Sequence, residues 1–93
     1  MTQDELKELY IKVREGMGIF TDAQDSQIFP AFTSTVQYAL LGGVPEKALM
    51  SSFCVGVLAK GTHDMWLTDT YSPIFDRMVG QLASGWSDEN AAA

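Results

Sequence analysis

The residues Ala48 to Ala59 read ALMSSFCVGVLA, and only Ser51 and Ser52 interrupt the apolar run. A helix that is apolar nearly all round belongs inside a fold. The predicted helix spans Pro45 to about Leu67. Pro45 suits a first turn, where its missing N–H is no loss, and Gly42-Gly43 ends whatever precedes it. A membrane span needs ~20 apolar residues, and Lys60 ends this run well short of that. The stretch therefore predicts a central core helix with Phe53 and Val57, four residues apart, facing inward.

The rest of the chain supplies helices to wrap it. Thr2 and Glu5 have the spacing of a capping box, and Leu6, Leu9, Tyr10, Val13 and Met17 form one helical stripe. This first helix is expected over Thr2–Arg14, with Gly16 and Gly18 as its stop and Glu8 and Lys12 as an exposed pair. Ile19 to Gln24 is a loop whose Ile19 and Phe20 are expected to tuck under the bundle. A second helix is expected to begin at an Asp25 or Ser26 cap. Its inner stripe is Ile28, Phe29, Phe32, Val36, Ala39 and Leu40, and its wet face is Thr33, Ser34, Thr35 and Gln37. Pro30 falls early enough to cost little.

Within the central helix, Ser52, Gly56 and Ala59 form a small-residue face, assigned to the core rather than to a contact between subunits. Glycine inside a helix costs ~1 kcal/mol against alanine, so Gly56 and Gly61 imply close packing. After a loop over Thr68–Tyr71, Ser72-Pro73 opens a last helix with Phe75, Met78, Val79 and Leu82 as its stripe. Ser84-Gly85 ends it. The expected architecture is all-α: a compact bundle of about four helices over residues 1–85, with residues 86–93 as a flexible tail. No internal repeat and no secretory leader pattern is visible.

The chemistry-bearing residues are sparse. His63 is the sole histidine and Cys54 the sole cysteine. His63 and Asp64 are sequence neighbours on a helix and so do not face each other. Cys54 reads as a core thiol that cannot form an internal disulfide, and a reducing compartment fits it. Neither residue belongs to a cluster with metal-ligand spacing, and Asp22 and Asp25 lack the other oxygens of a calcium loop. The reading is no enzyme, no cofactor and no metal. Six Lys and Arg stand against twelve Asp and Glu, a formal charge of −6. That argues against a phosphate-gripping surface, though not against a wall past which DNA slides. Among the late aromatics, Trp66 and Phe75 are assigned to the core. Trp86 follows a helix stop among polar residues, which leaves two options: an anchor for a partner, or a tail that folds back.

The pattern Gly56-Val57, Gly61, Asp64, Trp66, then Ser72-Pro73, Phe75 and Gln81-Leu82 resembles the C-terminal half of small head–tail connector proteins of tailed bacteriophages and prophages, also called head-completion, adaptor or DNA-packaging proteins. Leu6, Gly18-Ile19, Gln24-Asp25, Val36 and Gly43-Val44 fall in the family's order, so the resemblance covers residues 4 to 83. Pro30 and Gly80 depart from it. The resemblance implies an all-α subunit of a homo-oligomeric ring. The ring would dock under the portal protein, extend the DNA channel and receive a tail or stopper protein. It also implies assembly in the host cytoplasm and residence in the virion, without specific DNA binding and without a membrane. Candidate portal or assembly contacts are Trp86 and Tyr71. Gly61, Asp64, Trp66, Ser72, Pro73, Phe75, Gln81 and Leu82 are structural residues of the pattern. Two other classes remain: a phage-encoded regulatory or anti-defence protein acting by protein contact, and a helix-turn-helix-like DNA binder, which the scarcity of Lys and Arg disfavours.

Overall fold

The structure, a computed structural model, describes residues 1–86. Five α-helices follow one another: α1 (Gln3–Gly16), α2 (Asp25–Leu41), α3 (Glu46–Leu49), α4 (Val55–Thr68) and α5 (Pro73–Gly85). No strand occurs among the described residues. The all-α expectation therefore holds, with a short α3 added to four longer helices. No helix of the described residues is long and apolar enough to cross a membrane. Of the expected flexible tail, residues 86–93, only Trp86 is described, and residues 87–93 lie outside the described residues.

α1 starts as its sequence predicts. The Thr2 hydroxyl accepts from the Glu5 N–H at 3.1 Å, and the Glu5 carboxylate accepts from the Thr2 N–H at 2.9 Å. Leu9, Tyr10 and Val13 are its buried stripe. α2 opens differently from expectation. Its cap is Gln24, which makes no side-chain cap bond, and Asp25 is the first helical residue. The Asp25 carboxylate has better partners on α1: the Tyr10 hydroxyl donates to it, and Arg14 Nη1 donates to both oxygens at 3.1 and 3.2 Å. Tyr10 also stacks edge-on against Phe29, with ring centroids 5.1 Å apart. A charge-assisted pair and an aromatic contact together fix α1 on the start of α2.

The predicted long central helix is not continuous. Pro45 caps α3, which ends after Leu49, and Ser51 has an extended backbone (φ −79°, ψ 155°). The Ser51 hydroxyl donates to the Ala48 carbonyl at 2.8 Å. Such local side-chain bonds offer the backbone an alternative to the helix. One 3₁₀ turn, Ser52–Cys54, then leads into α4. The break resets which side chains face inward. Cys54 becomes fully buried while Phe53, expected in the core, is 68% exposed. Ser52 and Gly56 of the predicted small face are exposed as well, and only Ala59 of that face is buried.

α4 nonetheless remains the hub, packing against α1, α2 and α5. Val13, Ile28, Phe32, Leu58 and Phe75 meet in the core with no accessible surface. Two further expectations fail. Thr35, placed on the wet face of α2, is fully buried. Its hydroxyl donates to the Ala31 carbonyl at 2.8 Å and accepts from the Tyr71 hydroxyl at 3.2 Å, so its polarity is satisfied inside. Phe20, expected under the bundle, is 70% exposed, while its neighbour Ile19 is half-buried.

Candidate functional site: an apolar groove beside a polar clamp

α4 and α5 run back along each other, and the two ends of the pair differ. At the Thr68 end the contact is closed. Gly61 has room for no side chain: a Cβ there would stand 2.4 Å from Phe75 Cε1 and 2.7 Å from Thr35 Cγ2. One turn on, Asp64 is buried and holds the start of α5. Its Oδ2 accepts from Ser72 Oγ at 2.7 Å and from the Ser72 N–H at 3.2 Å, and its Oδ1 accepts from Lys60 Nζ at 2.8 Å. Ser72 Oγ in turn accepts from the Phe75 N–H at 3.3 Å, the N-cap bond that the Ser72-Pro73 sequence predicts. Burial pushes the Asp64 carboxyl up, but the bonds from Lys60 and Ser72 outweigh it and hold the group below the usual carboxylate range. The Thr68 hydroxyl, donating to the Asp64 carbonyl at 2.6 Å, finishes α4.

At the Val55 end the same two helices leave a groove of about 520 Å³. Phe53 and Val57 form one wall, Met78, Gln81 and Leu82 the other, and Trp86 closes it with Gly85. Trp86 does not stand away from the domain: it is half-buried against the core, and its backbone N–H bonds the Leu82 carbonyl at 3.1 Å. Its indole N–H is buried with no acceptor among the described residues. Between Met50 and Lys60, and between Arg77 and Trp86, the charged residues are the two cations Lys60 and Arg77. The lining of the groove is apolar apart from Gln81, and Lys60 is engaged with Asp64 at the closed end.

The other candidate residues separate into different places. Tyr71 belongs to an aromatic cluster on the α2 side, with ring centroids 4.5 Å from Tyr38 and 4.8 Å from Phe75. Its hydroxyl points inward to Thr35, and burial raises its pKa. Trp66 is half-buried and its indole N–H donates to Gln27 Oε1 at 3.4 Å. His63 is exposed on α4, away from the inward-facing Asp64. Cys54 is buried, and burial pushes its thiol up, the opposite of what a nucleophile requires. Among the described residues no group of three His, Cys, Asp or Glu could hold a metal ion.

The sequence reading named Asp64 and Ser72 as pattern residues and Ser72 as a cap, but their bond joins positions eight apart across a loop and has no local signature. The groove has no direct sequence signature, because Phe53 sits in an apolar run that reads as core and yet is exposed. The one available signal was the Ser51-Ser52 pair, a weak point in an otherwise apolar run. No family model, curated protein or solved structure matches this chain.

Proposed function

We propose that this chain is a structural subunit of a phage or prophage head–tail connector, a ring that docks under the portal and extends the DNA channel. The observation that carries the reading is that Gly61, Asp64, Ser72, Phe75, Gln81 and Leu82 of the connector-like pattern share the α4–α5 junction, while Trp66 of the pattern faces α2. Gly61 receives Phe75, Asp64 holds Ser72, and Leu82 and Gln81 line the adjacent groove. The pattern therefore specifies how α5 is set on α4, and with it the shape of an exposed apolar surface. Such surfaces mark interaction sites when their residues are contiguous. Trp86, the candidate assembly contact, lies on that surface. Tyr71 lies on the separate aromatic face, and the ring reading gives it a second contact region. The charge of −6 suits a channel wall that repels phosphates and lets DNA pass.

Co-expression with the portal protein encoded in the same genome tests this. The expected result is co-sedimentation of the two proteins and a ring of this chain on the portal in electron micrographs. Absence of any portal association, together with a gene neighbourhood lacking portal, terminase and capsid genes, would overturn the reading and favour a regulatory protein. Duplex DNA at ~50 mM salt should show no binding tighter than the non-specific range of ~10⁻⁴–10⁻⁶ M.

A further inference from the structure

The break between α3 and α4 is one residue wide. From Glu46 to Thr68 only Ser51 holds extended backbone (φ −79°, ψ 155°), and Met50 before it and Cys54 after it are αR. The bonds at the break are of the tighter i→i−3 kind: Ser51 N–H to the Ala48 carbonyl at 3.1 Å and Cys54 N–H to the Ser51 carbonyl at 3.2 Å. A 3₁₀ stretch inside a longer helix often marks a hinge. The residues around it, ALMSSFCVGVLA, read as one continuous helix. Local propensity therefore pulls against the break, and the Ser51 hydroxyl on the Ala48 carbonyl holds it.

The break also divides the domain. α1, α2 and α3 precede it, α4 and α5 follow it, and the core forms across the division, because α1 and α2 pack on α4 more extensively than on each other. Turning ψ of Ser51 into the helical range would straighten α3 and α4 into one helix. It would also carry α4 and α5 away from the first three helices of their own chain, and a second copy opened in the same way offers the missing half. Two exposed apolar side chains flank the hinge, Met50 at 41% and Phe53 at 68% exposure. On a straightened helix they stand three apart, with Val57 four further on, as one apolar stripe. Their place at the hinge separates this pair from Phe20, Leu41 and the other exposed apolar side chains.

We infer that the Ser51 hinge lets two copies of this chain exchange halves. α1–α3 of each copy pack on α4–α5 of the other, α3 and α4 become one helix, and Met50 and Phe53 of both copies meet where the two straightened helices cross. The exchange rebuilds the core contacts of the monomer between copies, so its balance is set by the hinge and the new crossing, which is what makes such swaps a low-cost route to a dimer. This inference goes beyond the connector reading, and neither requires the other.

Refolding the full chain from urea at high protein concentration tests it, and should give a dimer that separates from the monomer on size exclusion. The topology of that dimer is read with Gly16→Cys combined with Ala59→Cys. A Cβ at Gly16 stands 3.6 Å from the Ala59 Cβ, within the span of a disulfide, and the two positions lie on opposite sides of the hinge. Cys54 is fully buried and stays out of the reaction. Oxidised monomer should close the bridge within one chain, whereas oxidised dimer should run as a covalent dimer on a non-reducing gel. Two substitutions then bias the hinge in opposite directions. Ser51→Ala removes the hydroxyl that holds the break and favours the helix, and should raise the dimer-to-monomer ratio roughly tenfold or more. Ser52→Pro suits the monomer, because Ser52 is exposed, follows an extended residue and opens the 3₁₀ turn. In a straightened helix the same proline is interior, and the ratio should fall roughly a hundredfold or more. A wild-type chain that stays monomeric, dimers whose bridges close within one chain, or a Ser52→Pro chain that dimerises like wild type would each overturn the exchange. If Ser51→Ala fails to fold, wild type against Ser52→Pro reads the same difference. Exchanged dimers from a chain that never docks on a portal leave the exchange standing and overturn the connector reading. Portal docking by a chain that forms bridges only within itself does the reverse.

Discussion

Toward Thr68, α4 and α5 touch through a glycine, a fully buried phenylalanine ring and a carboxylate that grips the N-cap of the next helix. Toward Val55 they stand apart, and the residues between them are Phe53, Val57, Met78, Leu82 and Trp86. The closed end carries the polar clamp of Lys60, Asp64 and Ser72 and the open end is apolar; they differ too in whether a side chain has been removed to let the backbones approach. Gly61 does that at the closed end, and no counterpart does so at the other. A second such contact at the Val55 end would close the groove.

The largest test of this contrast exchanges two phenylalanines for alanine. Phe75→Ala should cost ~3–5 kcal/mol. Phe53→Ala should cost no more than ~0.5 kcal/mol, the usual range for exposed positions. Equilibrium urea denaturation measures both. Equal losses would mean that the groove wall is part of the core and that the contrast is false.

The second test adds one methyl group at each of two glycines on α4. At Gly61 it meets the Phe75 ring and Thr35, and overpacking of this kind costs ~1–3 kcal/mol. At Gly56 a Cβ has nothing within 4 Å, so Gly56→Ala should stabilise by up to ~1 kcal/mol through helix propensity alone. Thermal melts should therefore move in opposite directions, and a Gly61→Ala chain as stable as wild type would show that the closed end is not tightly packed.

The third test is the clamp. Asp64→Ala strands the Ser72 donors in a half-buried setting and should cost ~1–3 kcal/mol, a fall in Tm of roughly 4–8 °C per kcal/mol for a domain of this size. Acid should act in the same direction with smaller effect. The Asp64 and Asp25 carboxyls both lie below their ordinary range in the folded chain, Asp64 through Lys60 and Ser72 and Asp25 through Tyr10 and Arg14. A depressed folded-state pKa means that the unfolded chain binds protons first as the pH falls. Their stabilisation is therefore complete above the unfolded carboxylate range near pH 4 and is lost below it, as pH drops through the folded values. Asp64→Asn should flatten part of that acid limb, and an unchanged limb would remove Asp64 from the account. Tyr10, raised to about 12 by burial and by the Asp25 carboxylate, should resist ionisation in spectrophotometric titration beyond an exposed tyrosine.

The sequence by itself determined the helical class, because the spacing of its apolar residues repeats at three and four positions in each segment. It also determined the Thr2–Glu5 capping box and the Ser72-Pro73 start of α5, which are local: the residues that make each feature are within a turn of one another. The cost of a helical glycine implied close packing at Gly56 and Gly61 alike, and only Gly61 is closely packed, because a Cβ at Gly56 would have nothing within 4 Å. The tertiary structure decided the rest. Whether the run from Ala48 to Ala59 stays one helix depended on Ser51, whose hydroxyl took the Ala48 carbonyl, and that break rotated Phe53 outward and Cys54 inward. Thr35 is a polar residue whose burial is paid by Tyr71, thirty-six positions away. Asp25 left its capping role because Tyr10 and Arg14 came within reach. The Thr35 and Asp25 outcomes turn on which partner stands beside a polar group once the helices are assembled, a property of the packing; the Ser51 bond is only three residues long, and what packing decided there is which side chains the break turned inward.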